Sequence, residues 1–399
     1  MAMALNPEIL LWARNTAGLS VAEAAHALQF KDTRHSTAVE RLQRLEAGIA
    51  EPSRAVLRNM ARAYHRPLLV FYLSEPPRTG DRGQDFRRVP GGDIPEYDPT
   101  LDALIRNIRG RQGIVRDLME QTESKGVDYV ASVTTDVPPV ELAHRMAGRL
   151  GFSLTEFREQ ATVQAAFGYL RGKVEDSGAF VVLLGNLGSY HTNIPSGVFR
   201  GYAIADPVAP FIVVNDQDAP VAWAFTTLHE LTHLWLGTTG ISGGSADSQL
   251  ESYCNSVAGE VLLPESEMNE LRFLSRASLQ ETIDAVARFA NMRKISRAMV
   301  AYKLQRVGII TVAKWQELAR HYEDQWIAAQ AGSASIDTSE GGPSYYVLRR
   351  HRLGHALVDL IKSSLTEGLL THTKAGQVLG VKPRNVDPLI NVAGMRGGR

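Results

Sequence analysis

The first 75 residues carry apolar side chains at helical spacing, in short runs separated by glycine and polar residues. Ser20 precedes one of these runs and is followed three residues later by Glu23, which is the pattern of a capping box. The pattern predicts four short helices, beginning near Pro7, Ser20, Ser36 and Ser53. Short helices with a turn between the second and third are typical of helix-turn-helix domains.

Between residues 100 and 220 the hydrophobic pattern is first helical and then typical of strands. Helical periodicity predicts helices at 100–124, 139–150 and 163–177. Three short runs rich in Val, Ile and aromatic residues follow, AFVVLLGN, FRGYAIAD and PFIVVN, each bounded by Gly, Pro, Asn or Asp. Runs of this kind predict strands, and three of them predict a small sheet. The fold class we expect is therefore α+β.

Composition along the chain suggests where domains begin and end. A stretch rich in Pro, Gly and charge indicates a linker with an anchoring segment at Asp85-Phe86-Arg87, and a second flexible stretch follows residue 330. The predicted order is an all-helical domain, a linker, a helix-rich domain with a small sheet, a flexible linker and a C-terminal helical module, at 1–75, 76–99, 100–330, 331–343 and 344–399.

Charge and cysteine usage narrow the class of protein. Lys plus Arg and Asp plus Glu are equal at 43 each, so nucleic-acid binding would need a local basic patch. One cysteine excludes an intrachain disulfide and favours a reducing compartment. The N-terminus lacks the pattern of a secretory signal, and no apolar run is long enough to span a bilayer. We expect a cytoplasmic protein without a membrane partner.

The helix predicted at 220–237, PVAWAFTTLHELTHLWLG, carries the strongest chemical signal. It is apolar nearly all round, as in a buried helix, yet it contains His229, Glu230 and His233. Histidines four residues apart lie on one helical face and can bind one ion through ring nitrogens. Glu230, about 100° round the helix, can serve as general base for a water that the ion acidifies. The ligand types favour Zn²⁺, although manganese and iron use similar residues.

A third ligand is expected from the next helix, SQLESYCNSVAGEVLLP. It offers Glu251 and Glu260, nine residues apart and hence on opposite faces. We favour Glu251, because Asn255 lies one turn further on the same face and can hydrogen-bond a ligating histidine. Cys254 could be a soft ligand, but its small apolar neighbours favour a packed thiol.

Basic side chains mark the predicted third helix of the N-terminal domain and the turn before it. Arg41, Gln43 and Arg44 could contact bases or phosphates, together with Lys31 and Arg34. The connection QFKDTRH, however, exceeds the usual three-to-four-residue turn, and the basic surplus is modest. The alternative is a helical module that binds a protein or forms a homodimer. A second helix-turn-helix pattern, THTKAGQVLGVKPRNVDPLI, has the same two interpretations.

The motifs in this order resemble the ImmA/IrrE metallopeptidases fused to an XRE-type helix-turn-helix domain. The resemblance rests on RPLLVFYLSEPP, DRGQDFR, NIPSGVFRGYAIADPVAPFIVVN, LHELTHLWLG and ESYCNSVAGEVLLP. It implies a gluzincin-like zincin site in which His229, His233 and Glu251 hold zinc and Glu230 is catalytic. It also implies cleavage of a transcriptional repressor that controls a stress response or a mobile element.

Two functions remain open from the sequence. The first is a regulatory endopeptidase that cleaves a partner protein and binds DNA through its N-terminal domain. The second, which the family resemblance also implies, is a non-catalytic antitoxin or transcriptional regulator that binds a PIN-like toxin and its own operator. The residue that stabilises the oxyanion is also open, with His191, Tyr202 and Tyr253 as candidates.

Overall fold

A computed structural model describes residues 5–77, 84–85, 98–242, 248–333 and 344–392. The described part is mostly helical with one small sheet, which confirms the α+β class. Its first helices are α1 (Pro7–Asn15), α2 (Val21–Ala27), α3 (Ala38–Glu46), α4 (Arg54–Ala63), α5 (Pro99–Gln121), α6 (Pro139–Leu150), α7 (Leu154–Glu159) and α8 (Val163–Asp176). The remainder are α9 (Pro220–Leu236), α10 (Ser248–Leu262), α11 (Leu279–Arg293), α12 (Arg297–Arg306), α13 (Val312–Ser333), α14 (Tyr345–Leu353), α15 (His355–Thr366), α16 (His372–Leu379) and α17 (Val386–Asn391). No helix in these ranges has the length and apolar character needed to cross a membrane.

The sheet has five strands in the order β1-β5-β3-β4-β2. Their bounds are β1 (Gln84–Asp85), β2 (Phe180–Leu183), β3 (Gly201–Ile204), β4 (Phe211–Val214) and β5 (Gly240–Ser242). The central strand β3 is antiparallel to β4 and β5, whereas β2 runs parallel to β4 and β1 runs parallel to β5. The three predicted strands are confirmed. The other two have two and three residues, too few for a periodic pattern.

The two predicted linkers fall only partly within the described residues. The linker expected at 76–99 contributes β1 at its anchoring segment, while Phe86 and Arg87 lie outside the described residues. The second predicted linker, 331–343, overlaps the end of α13, which continues to Ser333. Its remaining residues lie outside the described ones.

The chain divides into two compact units, and the first contains the N-terminal helices. It comprises the described residues of Met1–Arg82, Asp93–Arg109 and Asn186–Asn193. Ser20, Thr37 and Ser53 cap α2, α3 and α4. Thr37 takes the capping role expected of Ser36, because Glu40 stands three residues after Thr37 and completes a capping box with it.

A buried ion pair links α1 to α3 within the first unit. Arg14 Nε donates to Glu46 Oε1 at 2.7 Å, and Arg14 NH1 donates to the carbonyl oxygen of Leu19 at 2.8 Å. The pair lies beside an apolar core formed by Ile9, Leu10, Ala13, Ala24, Ala25, Leu28, Leu42, Leu45, Leu57, Met60, Tyr64 and Phe71. These contacts explain how short helices with little intrinsic stability form a folded unit.

The second unit comprises the described residues of Gly83–Gly92, Gly110–Gly185 and Ile194–Arg399, and it contains the sheet. One face of the sheet, with Val181, Ala203 and Ile212, belongs to the main apolar core together with residues of α6, α8, α9 and α10. Helix α9 contacts β3, β4, α8 and α10. The helix predicted to carry the chemistry therefore lies in the middle of this core.

The C-terminal helices contact the same unit through a buried polar junction. Arg171 of α8 donates to the carbonyl oxygens of His351 and Arg352 at the end of α14, the latter at 3.2 Å. Glu175, one turn later, accepts from the backbone N–H of His355 at 2.9 Å, at the start of α15. A cation at a helix C-terminus and an anion at a helix N-terminus both complement the helix dipole. Arg171 also pairs with Glu175 at 3.0 Å.

Candidate metal centre

Helix α9 is fixed at both ends by backbone features. Pro220 occupies its first turn, and Gly237 ends it in the left-handed conformation, with φ at +70°. The backbone N–H groups of Ala131 and Ser132 donate to the carbonyl oxygens of Leu234 and Trp235, both at 3.0 Å. These contacts give hydrogen-bond donors to carbonyl groups of the last turn, just beyond the histidines, where a helix runs out of its own donors.

Three side chains converge beside α9. The Nε2 atoms of His229 and His233 lie 3.2 Å apart. Glu251 of α10 places Oε2 3.2 Å from His229 Nε2 and Oε1 3.1 Å from His233 Nε2. A tetrahedral ion with bonds of ~2.0–2.1 Å separates its ligand atoms by roughly 3.3 Å. The donor set therefore fits a single ion of this size, without rearrangement of the backbone.

The second nitrogen of each imidazole has a hydrogen-bond partner. His229 Nδ1 lies 3.0 Å from Asn255 Oδ1, the contact expected from the sequence, and an amide oxygen can only accept. His233 Nδ1 lies 2.8 Å from Thr238 Oγ1, a contact that no sequence pattern indicated. With the proton on Nδ1 of both rings, the Nε2 lone pairs face Glu251. This is the orientation that metal ligation requires.

The protonation of these groups shows how strongly they interact. Burial raises the pKa of Glu251, but the adjoining imidazoles of His229 and His233, which favour the ionised carboxylate when they are protonated, outweigh it and lower the pKa to about 2. Burial lowers the pKa of His233. For His229 the opposing effect of Glu251 outweighs burial, so its pKa is raised. The carboxylate is thus ionised at neutral pH, as a ligand must be.

Glu230 lies against the sheet rather than against solvent. Its side chain is fully buried, and a Cβ placed on Gly201 of β3 would lie 2.1 Å from Glu230 Oε1. Glycine is therefore required at this point of close approach. This role is not evident from the sequence, because FRGYAIAD gives no signal that its glycine faces a carboxylate.

Cys254 and Glu260 are the alternative ligands from α10. His229, His233 and Cys254 each offer a ligand atom, and these atoms lie within 4.8 Å of one another. The thiol lies 3.9 Å from His233 Nδ1, the nitrogen that contacts Thr238, and burial raises the pKa of the thiol well above its usual value. A protonated thiol is a poor ligand. Glu260 accepts from Lys303 Nζ at 2.7 Å and from the backbone N–H of Glu265.

The three oxyanion candidates differ in position. Tyr253 donates its hydroxyl to the carbonyl oxygen of Val137 at 2.7 Å. Tyr202 follows Gly201 on β3, so strand alternation turns it away from the face that meets Glu230. His191 belongs to the first unit and is exposed. None of these positions assigns the role.

All five residues proposed to contact DNA are exposed: Lys31, Arg34, Arg41, Gln43 and Arg44. They lie on α3 or in the connection between α2 and α3, which spans residues 28–37. Arg41 also stacks over Phe30, with the guanidinium carbon 4.9 Å from the ring centroid. The connection is longer than a standard helix-turn-helix turn, as the sequence indicated.

Comparison with known families matches the part of the chain that carries this centre. Residues 189–305 match the family model described as the IrrE N-terminal-like domain, Peptidase_M78. The matched segment contains β3, β4, α9 and α10. It supports the ImmA/IrrE family and indicates a zincin-like metallopeptidase domain. Searches of curated proteins and of solved structures found no match.

Proposed function

We propose that this chain is a regulatory zinc-dependent endopeptidase that cleaves a partner protein. The observation that carries the proposal is the convergence of two Nε2 atoms and the Glu251 carboxylate at 3.1–3.2 Å, with the buried carboxylate of Glu230 on the same helix as the two histidines. The family match, which suggests a metallopeptidase, supports the same reaction class.

In this proposal His229, His233 and Glu251 hold the ion. A zinc ion in such a site supplies Lewis-acid chemistry, which acidifies water and polarises a carbonyl group. Glu230 takes a proton from the attacking water at a carboxylate oxygen and passes it to the leaving amine nitrogen. Asn255 and Thr238 hold the imidazoles in the required tautomer.

The test compares the wild type with Glu230→Gln, which keeps the size and most of the shape of the side chain. Both proteins are incubated with host lysate, and new protein N-termini are identified by mass spectrometry. We expect the wild type to generate a small set of new N-termini and the variant to generate none, with equal metal content in both. New N-termini that appear equally with both proteins would contradict the assignment.

We further propose that the substrate is a transcriptional repressor and that the N-terminal helices bind DNA. The exposed basic side chains on and before α3 support DNA binding, because Arg and Lys are the usual phosphate contacts. Electrophoretic mobility shifts with the region upstream of the gene test this proposal. The double variant Arg41→Ala/Arg44→Ala should weaken binding, whereas Arg145→Ala, an exposed arginine on α6, should not.

The alternative is a non-catalytic regulator that binds a PIN-like toxin and its own operator. The N-terminal helices form a compact unit with its own apolar core, as a self-contained binding module would, and this supports the alternative. In that case Glu230→Gln would retain every biological function. Loss of function with retained DNA binding would instead favour the peptidase.

A further inference from the structure

Two arginines from different helices of the second unit meet beside the end of α16. Arg349 NH2, from α14, and Arg111 NH2, from α5, lie 2.2 and 2.6 Å from the point where a Cβ on Gly380 would sit. Gly380 ends α16 with φ at +63° and is itself exposed. Two like charges therefore converge beside an exposed glycine, at a position where any larger side chain would collide with both guanidinium groups.

The two guanidinium groups differ in their hydrogen-bond acceptors. Arg349 donates from NH2 to the carbonyl oxygens of Leu379 at 3.0 Å and Gly380 at 3.1 Å. Arg111 makes no hydrogen bond and no ion pair to the described residues, and its Nε is shielded from solvent. A shielded cation without an acceptor is costly, so an arrangement of this kind calls for a negative group.

Asp216, the acidic residue whose charge acts on Arg349, already has other partners. Asp216 Oδ2 lies 2.9 Å from Arg352 Nε, and Asp216 Oδ1 accepts from Gln217 Nε2 at 2.7 Å. Burial and the charge of Arg349 both lower the pKa of Arg111, although a guanidinium stays protonated at neutral pH. The described residues thus supply no anion to balance Arg111.

We propose that Arg111 and Arg349 together bind a phosphate-class dianion beside Gly380. Phosphate carries a charge of about −1.5 to −2 near pH 7, and its oxygens match the forked donors of guanidinium groups. A dianion at this position contacts Arg111 of α5 and Arg349 of α14, beside the glycine that ends α16. It therefore fastens the C-terminal helices to the body of the unit that carries the metal centre.

The test uses inorganic phosphate and the full chain at constant ionic strength. Calorimetric titration should give about one phosphate per wild-type chain, with a rise in Tm. Arg111→Met should bind phosphate about tenfold more weakly or worse. Arg116→Met is the matched control, because Arg116 is an exposed arginine on the same helix and pairs with Glu120 and Asp206. It should bind as the wild type does.

Stability without phosphate separates this proposal from a purely structural role. If Arg111 only stabilises the end of α16, Arg111→Met lowers the Tm in phosphate-free buffer. If Arg111 awaits an anion, the Tm is unchanged or higher. Arg111→Lys serves as a second variant in case Arg111→Met does not fold. It retains the charge but loses the forked pair of guanidinium donors, so it should bind phosphate weakly. A wild-type Tm that phosphate leaves unchanged, or that chloride raises equally, overturns the proposal.

Discussion

The close approach of Gly201 to Glu230 makes a single methyl group a sharp probe of the proposed reaction. In Gly201→Ala the new Cβ would lie 2.1 Å from Glu230 Oε1, 2.6 Å from Cδ and 2.7 Å from Cγ. Ordinary contacts between non-bonded carbon atoms are about 3.5–4.0 Å. One of the two groups must therefore move by roughly 1 Å.

The carboxylate is the group more free to move. Gly201 lies on the central strand and pairs with both Val214 and Ser242, so the backbone is held on both sides. Overpacking of a buried site costs typically 1–3 kcal/mol of stability. A displacement of ~1 Å at a reacting group can lower the rate about 100-fold. We expect a loss of that order in kcat/KM, with a folded protein.

The assay follows the appearance of the Glu230-dependent N-terminus in the identified substrate. Metal content is measured in parallel and should stay unchanged, because the atoms nearest the new Cβ belong to Glu230, which is not one of the three proposed ligands. Gly197→Ala is the matched control, since a Cβ there has no neighbour within 4 Å. It should retain wild-type activity. A Gly201→Ala protein that cleaves at the wild-type rate, or that loses its metal, would refute the reasoning.

Three further predictions concern the surroundings of the site. Asn255→Ala removes the partner of His229 Nδ1 and should weaken zinc binding about 10–100-fold in chelator competition, with no change in fold. Arg171→Met removes the buried cation that pairs with Glu175 and leaves only the half-exposed imidazole of His355 beside it, so it should lower the free energy of unfolding by about 3–5 kcal/mol in urea titrations; a loss below about 1 kcal/mol would contradict a stabilising role of this junction. The Glu175 hydrogen bond raises the pKa of His355 to about 9 from 6.5, so its stabilisation is complete below pH 6.5 and is lost as the pH rises through about 9. Between pH 7 and 9.5 the wild type should therefore lose more stability than His355→Gln. The difference should be ~1 kcal/mol or less, because the imidazole is half-exposed. Equal losses in both proteins would show that the His355–Glu175 pair does not contribute to stability.

The sequence predicted those parts of the site that depend on helical spacing. His229 and His233 are four residues apart, so a shared face follows from helix geometry alone, and Asn255 follows Glu251 at the same interval. The apolar character of α9 predicted its burial. These are local relations, in which the distance along the chain determines the distance in space.

Other parts depend on how separate elements pack. Thr238 meets His233 because Gly237 turns the chain back at the end of α9, and Gly201 meets Glu230 because β3 lies beneath that helix. The docking of α14 and α15 onto α8 is equally non-local, since Arg171 and Glu175 appear in the sequence as ordinary charges of a helix. Periodicity shows none of these contacts.

The most direct test of the central claim is the metal content of the purified chain. Elemental analysis, without chelator during purification, compares the wild type with the His229→Ala/His233→Ala double variant and with Glu251→Gln, with circular dichroism as the control for folding. We predict about one zinc per wild-type chain, lost in the folded double variant and reduced in Glu251→Gln. A well-folded wild type that holds little metal even after zinc is added back would contradict the account.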